Sequence, residues 1–520
     1  MAGKTPFTNL DPATAADAIR QGSDPHELDQ ATERVLLYTY ANLPDFPCYG
    51  CHLRPSLAVA DPGGVDRISH LPRGLLHDIV SRLPLKDAAR TAVLSSRWRR
   101  IWLATPLLLN DAHFLPKGHC WPVTPANSPA ITAAVSRILE AHLGPIHRVR
   151  LVCTNMNSYR PQLARWLQLL AAKGVQELVL VNRPWPRDLP LPATVFAITT
   201  LTRLYLGVWK LPDTAVLRGA SFPRLRELGL CCVEMEHGDV DSLVARSPVL
   251  EILNILGCLK GLRLRLVSQS LRCLQISASI LENVAVVKAP CLERFILYAS
   301  CTPRGLCTRV KIGDAPKLHA FGYLQPGQVL EIRDTVIMPG IKMRTSAMLT
   351  SVKVLSLNVC FGVPNDVKMM PTFLRCFPNA ERLHIMSKKC DQPTTGHLTL
   401  KFWQESGPIE NVTSRINTIS IREFRGEPGE VAFLKYIFQS ARALSTAVVV
   451  MANPSFAPFS TKEAYSKVQK CYKDMASDSC NHLVLESNAV AGVGIWRFKD
   501  GADFSFHDPF SVAEVRRPLN

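Results

Sequence analysis

No apolar run in this 520-residue chain approaches the ~18 residues that a bilayer-spanning helix needs, so no membrane span is expected. The opening "MAGKTPFTNL" lacks the apolar core of a signal peptide, and export is not expected either. Catalytic motifs are also missing: there is no G-x-S-x-G, no H-E-x-x-H and no G-x-G-x-x-G. The "GKT" at Gly3–Thr5 has the tail of a phosphate loop but neither the preceding glycine nor a strand before it. The chain therefore reads as a non-enzyme with no cofactor and no metal. Cys48 and Cys51 form a C-x-x-C with His52 alongside, yet no second Cys/His pair follows at zinc-finger spacing.

The 16 cysteines are scattered rather than regularly spaced, and read as reduced packing thiols of a protein in the nucleus or cytoplasm. Cys231-Cys232, at the end of a strand pattern, belong with them. A sequon at Asn411 is idle in such a compartment. His384 falls inside a strand pattern and reads as structural. The net charge of +17 is spread along the chain, with no basic tail and no basic–aromatic repeat. That pattern suits a solvated basic surface facing an acidic partner better than a nucleic-acid site, which stays as a lesser alternative.

What is present is a core: 47% of the residues are hydrophobic. Residues 1–65 read as leader and linker, partly disordered, with one weak helical pattern in "DPHELDQATERVLLYTY". Residues 66–111 pack three short helix patterns together. Pro72 suits a first helical turn, and Leu75, Leu76, Ile79, Val80 and Leu83 recur at helical spacing before Pro84 stops the run. "PLKDAARTAVL" gives a second helix. Ser95 or Ser96 can cap a third, on which Trp98, Ile101 and Trp102 share a face. Three such helices cannot bury two tryptophans and so many leucines among themselves, so some apolar surface must meet something else.

That segment resembles an F-box, the module that ties a substrate receptor to the Skp-type adaptor of a cullin–RING ubiquitin ligase. The matching residues are Leu71-Pro72, Leu75-Leu76, Ile79, Leu83-Pro84, "KDAARTAVLSSRWRRIW" and "PLLLND". The resemblance implies that Leu71, Pro72, Leu75, Leu76, Ile79, Leu83, Pro84, Trp98 and Trp102 lie at or beneath the adaptor contact. Arg73-Gly74 and Ser96 depart from the residues common in the family.

Across 112–405 a different rhythm sets in, the pattern apolar-x-x-apolar-x-apolar of a short alternating strand. It begins at Ile146, Val175, Leu201, Leu225, Leu250, Leu271, Leu292 and Leu318, and recurs more loosely at Val352 and Ala380. From Val175 to Leu318 the steps are 26, 24, 25, 21, 21 and 26 residues, the range of leucine-rich repeats. No unit can bury its own apolar face, so the units must stack. Leu228, Leu253 and Leu274 should point inward, with Arg226, Glu251 and Arg272 at the surface. "SPVLEILNILGC", "APCLERFIL" and "FPRLRELGL" resemble the divergent repeats that follow plant F-boxes.

Residues 409–520 break the repeat. "INTISIREFRGEPGEVAFLKYIFQSARALSTAVVVM" reads as strand, turn, helix, strand, with Val431, Leu434, Ile437, Phe438 and Ala441 as the helical stripe. The run resembles the FBD domain of the plant F-box/leucine-rich-repeat/FBD family, and the tail "DGADFSFHDPF" fits it loosely. The expected fold is thus α/β: a three-helix F-box, a leucine-rich-repeat solenoid and an FBD-like cap. The resemblance implies a substrate-recognition subunit whose F-box holds a Skp-type adaptor, and through it cullin and RING subunits, while the repeats hold a target protein. Arg203, Lys210, Arg224, Arg226, Arg263 and Arg265 are the candidate contacts to an acidic target. A repeat scaffold working outside a ligase is the alternative.

Overall fold

A computed structural model describes residues 7–10, 12–46, 68, 70–83, 85–115, 125–183, 189–219, 221–327, 329–338, 344–389, 398–455, 459–473, 480, 482–487 and 496–511. The chain divides into two compact units, Met1–Leu250 and Glu251–Asn520.

The first unit opens with α1 (Pro12–Arg20) and α2 (Pro25–Ala41). The second of these stands on the "DPHELDQATERVLLYTY" pattern, and Asp24 caps it by accepting from the His26 amide at 2.8 Å. The three short helix patterns become α3 (Arg73–Arg82), α4 (Leu85–Thr91) and α5 (Ser96–Ala104). Repeats then supply β1 (Leu107–Asn110), α6 (Ser128–Ala141), β2 (Ile146–Leu151), α7 (Arg160–Ala172), β3 (Glu177–Val181), β4 (Arg203–Gly207), α8 (Thr214–Arg218), β5 (Glu227–Cys231) and α9 (Asp239–Ala245). The strands pair in parallel in chain order, β1 through β5, with Leu178, Leu204 and Leu228 in one row.

The alternation expected of these strands is not what they show. In β3, β4 and β5 every residue after the first is buried. One face packs on the return segments, as the pattern requires. The other is covered by the N-terminal segment, whose contact with the sheet no periodicity announces. Tyr40 donates its hydroxyl to the Val152 carbonyl at 2.8 Å, and Arg150 donates to the Pro44 carbonyl at 3.2 Å. A Cβ at Gly207 would lie 3.1 Å from the Thr39 methyl. The inner face of β2–β5 is closed by α2.

The second unit begins with β6 (Ile252–Leu256), β7 (Leu262–Val267), β8 (Cys273–Ser277), β9 (Leu281–Lys288), β10 (Arg294–Tyr298), β11 (Arg309–Asp314), β12 (Ala320–Leu324), β13 (Leu330–Ile332) and β14 (Thr335–Val336). It continues with β15 (Val354–Val359), α10 (Pro364–Arg375), β16 (Arg382–Ser387), α11 (Leu400–Glu405), α12 (Glu410–Ser414), β17 (Thr418–Phe424), α13 (Pro428–Ser440), β18 (Thr446–Met451), α14 (Thr461–Lys473), β19 (His482–Ser487) and α15 (Phe498–Ala502). Strands β6, β8, β10, β12, β15, β16, β17, β18 and β19 lie side by side in that order, all parallel. The FBD-like strands therefore extend the repeat sheet, in register, with Leu383, Ile419 and Ala447 in one row.

Four return segments here form strands instead of helices: β7, β9, β11 and the β13–β14 pair. The "LRLRLV" of β7 alternates buried and exposed, which a helix cannot do, and it joins β9, β11, β13 and β14 in a second sheet. The inward positions expected for the repeats hold, with Leu228, Leu253 and Leu274 buried; of the expected surface positions Arg226 is exposed, while Glu251 and Arg272 are half-buried. Strands β4, β5, β6, β8 and β10 are each followed by a residue of left-handed backbone: Val208 (φ 59°), Cys232 (53°), Gly257 (65°), Ala278 (46°) and Ala299 (51°). One expectation is corrected: among the described residues eleven cysteines are free thiols, but Cys360 is disulfide-bonded. Cys48, Cys51, His52 and Gly3–Thr5 lie outside the described residues.

Candidate adaptor and target surfaces

The three-helix module divides its apolar residues between a core and a surface. Leu76, Val80, Ala88, Trp98 and Ile101 form one buried cluster, with Leu71, Leu83 and Trp102 packed partly against it. Ser95 caps α5 by accepting from the Trp98 amide at 3.3 Å, and Arg97 donates to the Leu71 carbonyl at 2.7 Å. Leu83 adopts an extended backbone and ends α3; Pro84, which the sequence makes responsible, lies outside the described residues. Trp102 packs against His142 at 5.3 Å between ring centres, the rings tilted by 59°, joining the module to the first repeat. Burial lowers the His142 pKa.

With that core complete, other apolar side chains face water. Leu75 is 52% exposed and Ile79, one turn on along the same helix face, is 39% exposed. Val93 and Leu94, in the turn before α5, are 85% and 65% exposed. Pro72 is exposed as well. The nine candidate adaptor residues are thus not equivalent: Leu76 and Trp98 belong to the core, Leu75, Ile79 and Pro72 to the surface. Val93 and Leu94 were missed, because "AVLSS" lies at the end of a helix pattern, where periodicity assigns no face.

Asp111 was missed too. It is fully buried at the exit of the module and accepts from the amides of Val152 and Cys153 at 2.8 and 2.7 Å. Burial pushes its carboxyl up to about 6, against the pull of those two hydrogen bonds. The only visible signal was its place in the closing "PLLLND".

Of the candidate target residues, Arg203 is committed within the protein. It binds Glu227 at 2.7 Å and Glu177 at 3.1 Å, and Glu177 also takes Arg148 at 3.1 Å. These are register partners on β2 to β5, so the charges form a ladder across the strands. The Tyr205 hydroxyl donates to Glu227 at 2.5 Å. Lys210 lies 3.6 Å from Glu234, and Arg263 2.6 Å from Glu282. Arg224, Arg226 and Arg265 are exposed. Among the described residues, no group of His, Cys, Asp and Glu is arranged to hold a metal, and no helix is long and apolar enough to cross a membrane.

Comparison with known proteins assigns the modules. The F-box domain profile matches residues 68–110, the profile for the LRR repeats of FBD-associated F-box protein At5g56370 matches residues 163–385, and the FBD profile matches residues 404–449. An F-box/FBD/LRR-repeat protein of Arabidopsis thaliana is 25% identical over 74% of this chain and 91% of its own. A second protein of that description is 26% identical over 64% of this chain and 76% of its own, and an Arabidopsis F-box/LRR-repeat protein is 31% identical over 36% of each.

Proposed function

We propose, from the premise that this chain is a member of the plant F-box/FBD/LRR-repeat proteins, that it serves as the substrate-recognition subunit of a Skp–cullin–F-box ubiquitin ligase in the nucleus or cytoplasm. Its F-box implies a Skp-type adaptor as partner, and through that adaptor the cullin and RING subunits. The repeats then hold the protein to be modified. The observation that carries this reading is the exposure of Leu75, Ile79, Val93 and Leu94 on a module whose own core is complete without them. Apolar side chains left in water beside a finished core are what a protein contact covers.

Such a subunit needs no proton transfer of its own. Holding a target beside a charged conjugating enzyme raises the effective concentration of the target's lysines. Exposed Arg224 and Arg226, at the approach to β5, favour an acidic target by steering more than by deep affinity. Co-purification with a Skp-type adaptor tests the reading. A Leu75→Asp, Ile79→Asp chain should lose the adaptor while melting as the wild type does. Undiminished adaptor binding by that folded variant would falsify it, and would leave the scaffold alternative.

A further inference from the structure

The inner face of the large sheet in the second unit already holds a peptide, and the peptide is the chain's own tail. In register across adjacent strands, that face carries Asn254, Gln275, Ile296 and Gly322, and, beyond a register shift between β12 and β15, Ser356, His384 and Ser420. Most of these are polar, yet Asn254, Gln275, Ser356, His384 and Ser420 are all buried. Residues 496–511 cover it.

The contacts are those of peptide recognition. Gln275 donates to the Phe498 carbonyl at 2.8 Å and accepts from the Trp496 indole at 2.8 Å. Arg294, buried on β10, donates to the main-chain carbonyls of Gly501 at 2.7 Å, Asp503 at 3.0 Å and Phe506. Main-chain contacts of this kind hold the segment, a short helix followed by turns, whatever its side chains. Selectivity comes from what lies beside them. The Phe504 ring sits under the Arg272 and Arg294 guanidiniums at 3.8 and 4.6 Å. Asp508 meets His384 at 2.9 Å and Arg382 at 3.3 Å. Phe510 packs on Tyr323 at 5.2 Å between ring centres, above Gly322, where a Cβ would come within 2.8 Å of its ring. The fit is reciprocal, since a Cβ at Gly501 would lie 2.0 Å from the Gln275 side-chain oxygen.

We propose that this face is a peptide-docking groove, occupied in the described state by the tail. In trans it takes a segment of a partner protein with the same chemistry, aromatic residues leading to an Asp-Pro-aromatic anchor. The proposal rests on the reading that the repeats carry target recognition, and it narrows the target to a linear acidic–aromatic segment. A tethered tail competes at an effective concentration of about millimolar, so the intact chain stays closed to a micromolar ligand.

The probe is a fluorescein-labelled synthetic peptide of residues 496–511, followed by anisotropy on full-length protein. Wild type should not take it up at micromolar concentration. Gly501→Val, which jams the tail against Gln275 and leaves the groove itself unchanged, should bind it. Probe peptides carrying Asp508→Ala or Phe510→Ala should bind at least ~10-fold more weakly, as should the Gly501→Val, Arg294→Met chain. As a second route, a protease site within residues 488–495 of the otherwise wild-type chain should let the labelled peptide exchange in after cleavage. A folded Gly501→Val chain that ignores the peptide overturns the proposal. So does loss of cooperative melting in both the Gly501→Val and the cleaved proteins, because the tail would then be part of the core. Adaptor co-purification from the same samples separates the two readings: if the peptide binds and the adaptor does not, the ligase role falls and the groove stands.

Discussion

Among single residues, the buried carboxyls set how this protein answers pH. Glu430, on α13, accepts from the Ser387 hydroxyl at 2.5 Å and from the amides of Arg425 and Glu427 at 3.0 and 2.8 Å. Burial outweighs these bonds and raises its pKa from 4.5 to about 7. Between those two values the folded chain keeps a proton that the unfolded chain has released, so stability falls as pH rises across that window. Glu430→Gln keeps the shape and removes the charge. It should be stabilised relative to wild type at pH 8, by on the order of 1–3 kcal/mol, and nearly matched at pH 4. Thermal melts at the two pH values check this; an equal difference at both would mean that the charge is not the cause. Asp508 has the opposite sign: burial works against its ionisation, but His384 and Arg382 hold it down to about 2. Its contribution is complete above the ordinary value of 3.8 and fades as the pH falls toward 2. In the F-box, Trp98→Ala should cost about 3–5 kcal/mol because Trp98 is core. The exposed Val93→Asp should leave the melting temperature nearly unchanged and weaken adaptor capture in the same pull-down.

At the level of elements, the repeats were legible because strand positions such as Leu228, Leu253 and Leu274 recur with the period of the fold. The three F-box helices were legible for the same reason, helped by the Ser95 cap. Three features were not. The outer strands β7, β9 and β11 occupy return segments whose length suits a helix as well as a strand. Contacts of Tyr40 and Phe510 with the sheet join residues far apart in sequence, and no local pattern records such a pairing. The left-handed residue after β4, β5, β6, β8 and β10 is glycine only at Gly257; Val208, Cys232, Ala278 and Ala299 give no sign of it. Gly257→Ala should therefore cost about 1–2 kcal/mol, and Ala278→Gly, at an exposed position, should be neutral or slightly stabilising. Denaturant midpoints of the two variants decide it. A neutral Gly257→Ala would show that the turn relaxes.

For the whole molecule, the question is how a net charge of +17 is used. The Arg148–Glu177–Arg203–Glu227 ladder and pairs such as Lys353–Glu381 at 2.6 Å balance cation against anion and leave that excess untouched. These side chains are half-buried, and the pairs add no net charge for a partner to meet. Arg224→Glu with Arg226→Glu should reduce recovery of partners in affinity purification under proteasome inhibition. The reduction should be larger at low salt, where screening is weakest. Equal recovery at all ionic strengths would remove steering from the account.

The tail that lines the inner face also imposes an order on synthesis. Trp496 follows its partner Gln275 by 221 residues. At ~5–20 residues per second, a ribosome leaves roughly 10–45 s between them. Through that interval the nascent chain carries Gln275, then Arg294 and later His384, without the residues that cover them. A chain interrupted after the FBD profile would keep that row open permanently, so premature termination near the 3′ end of the message should yield a receptor whose docking face is exposed from birth.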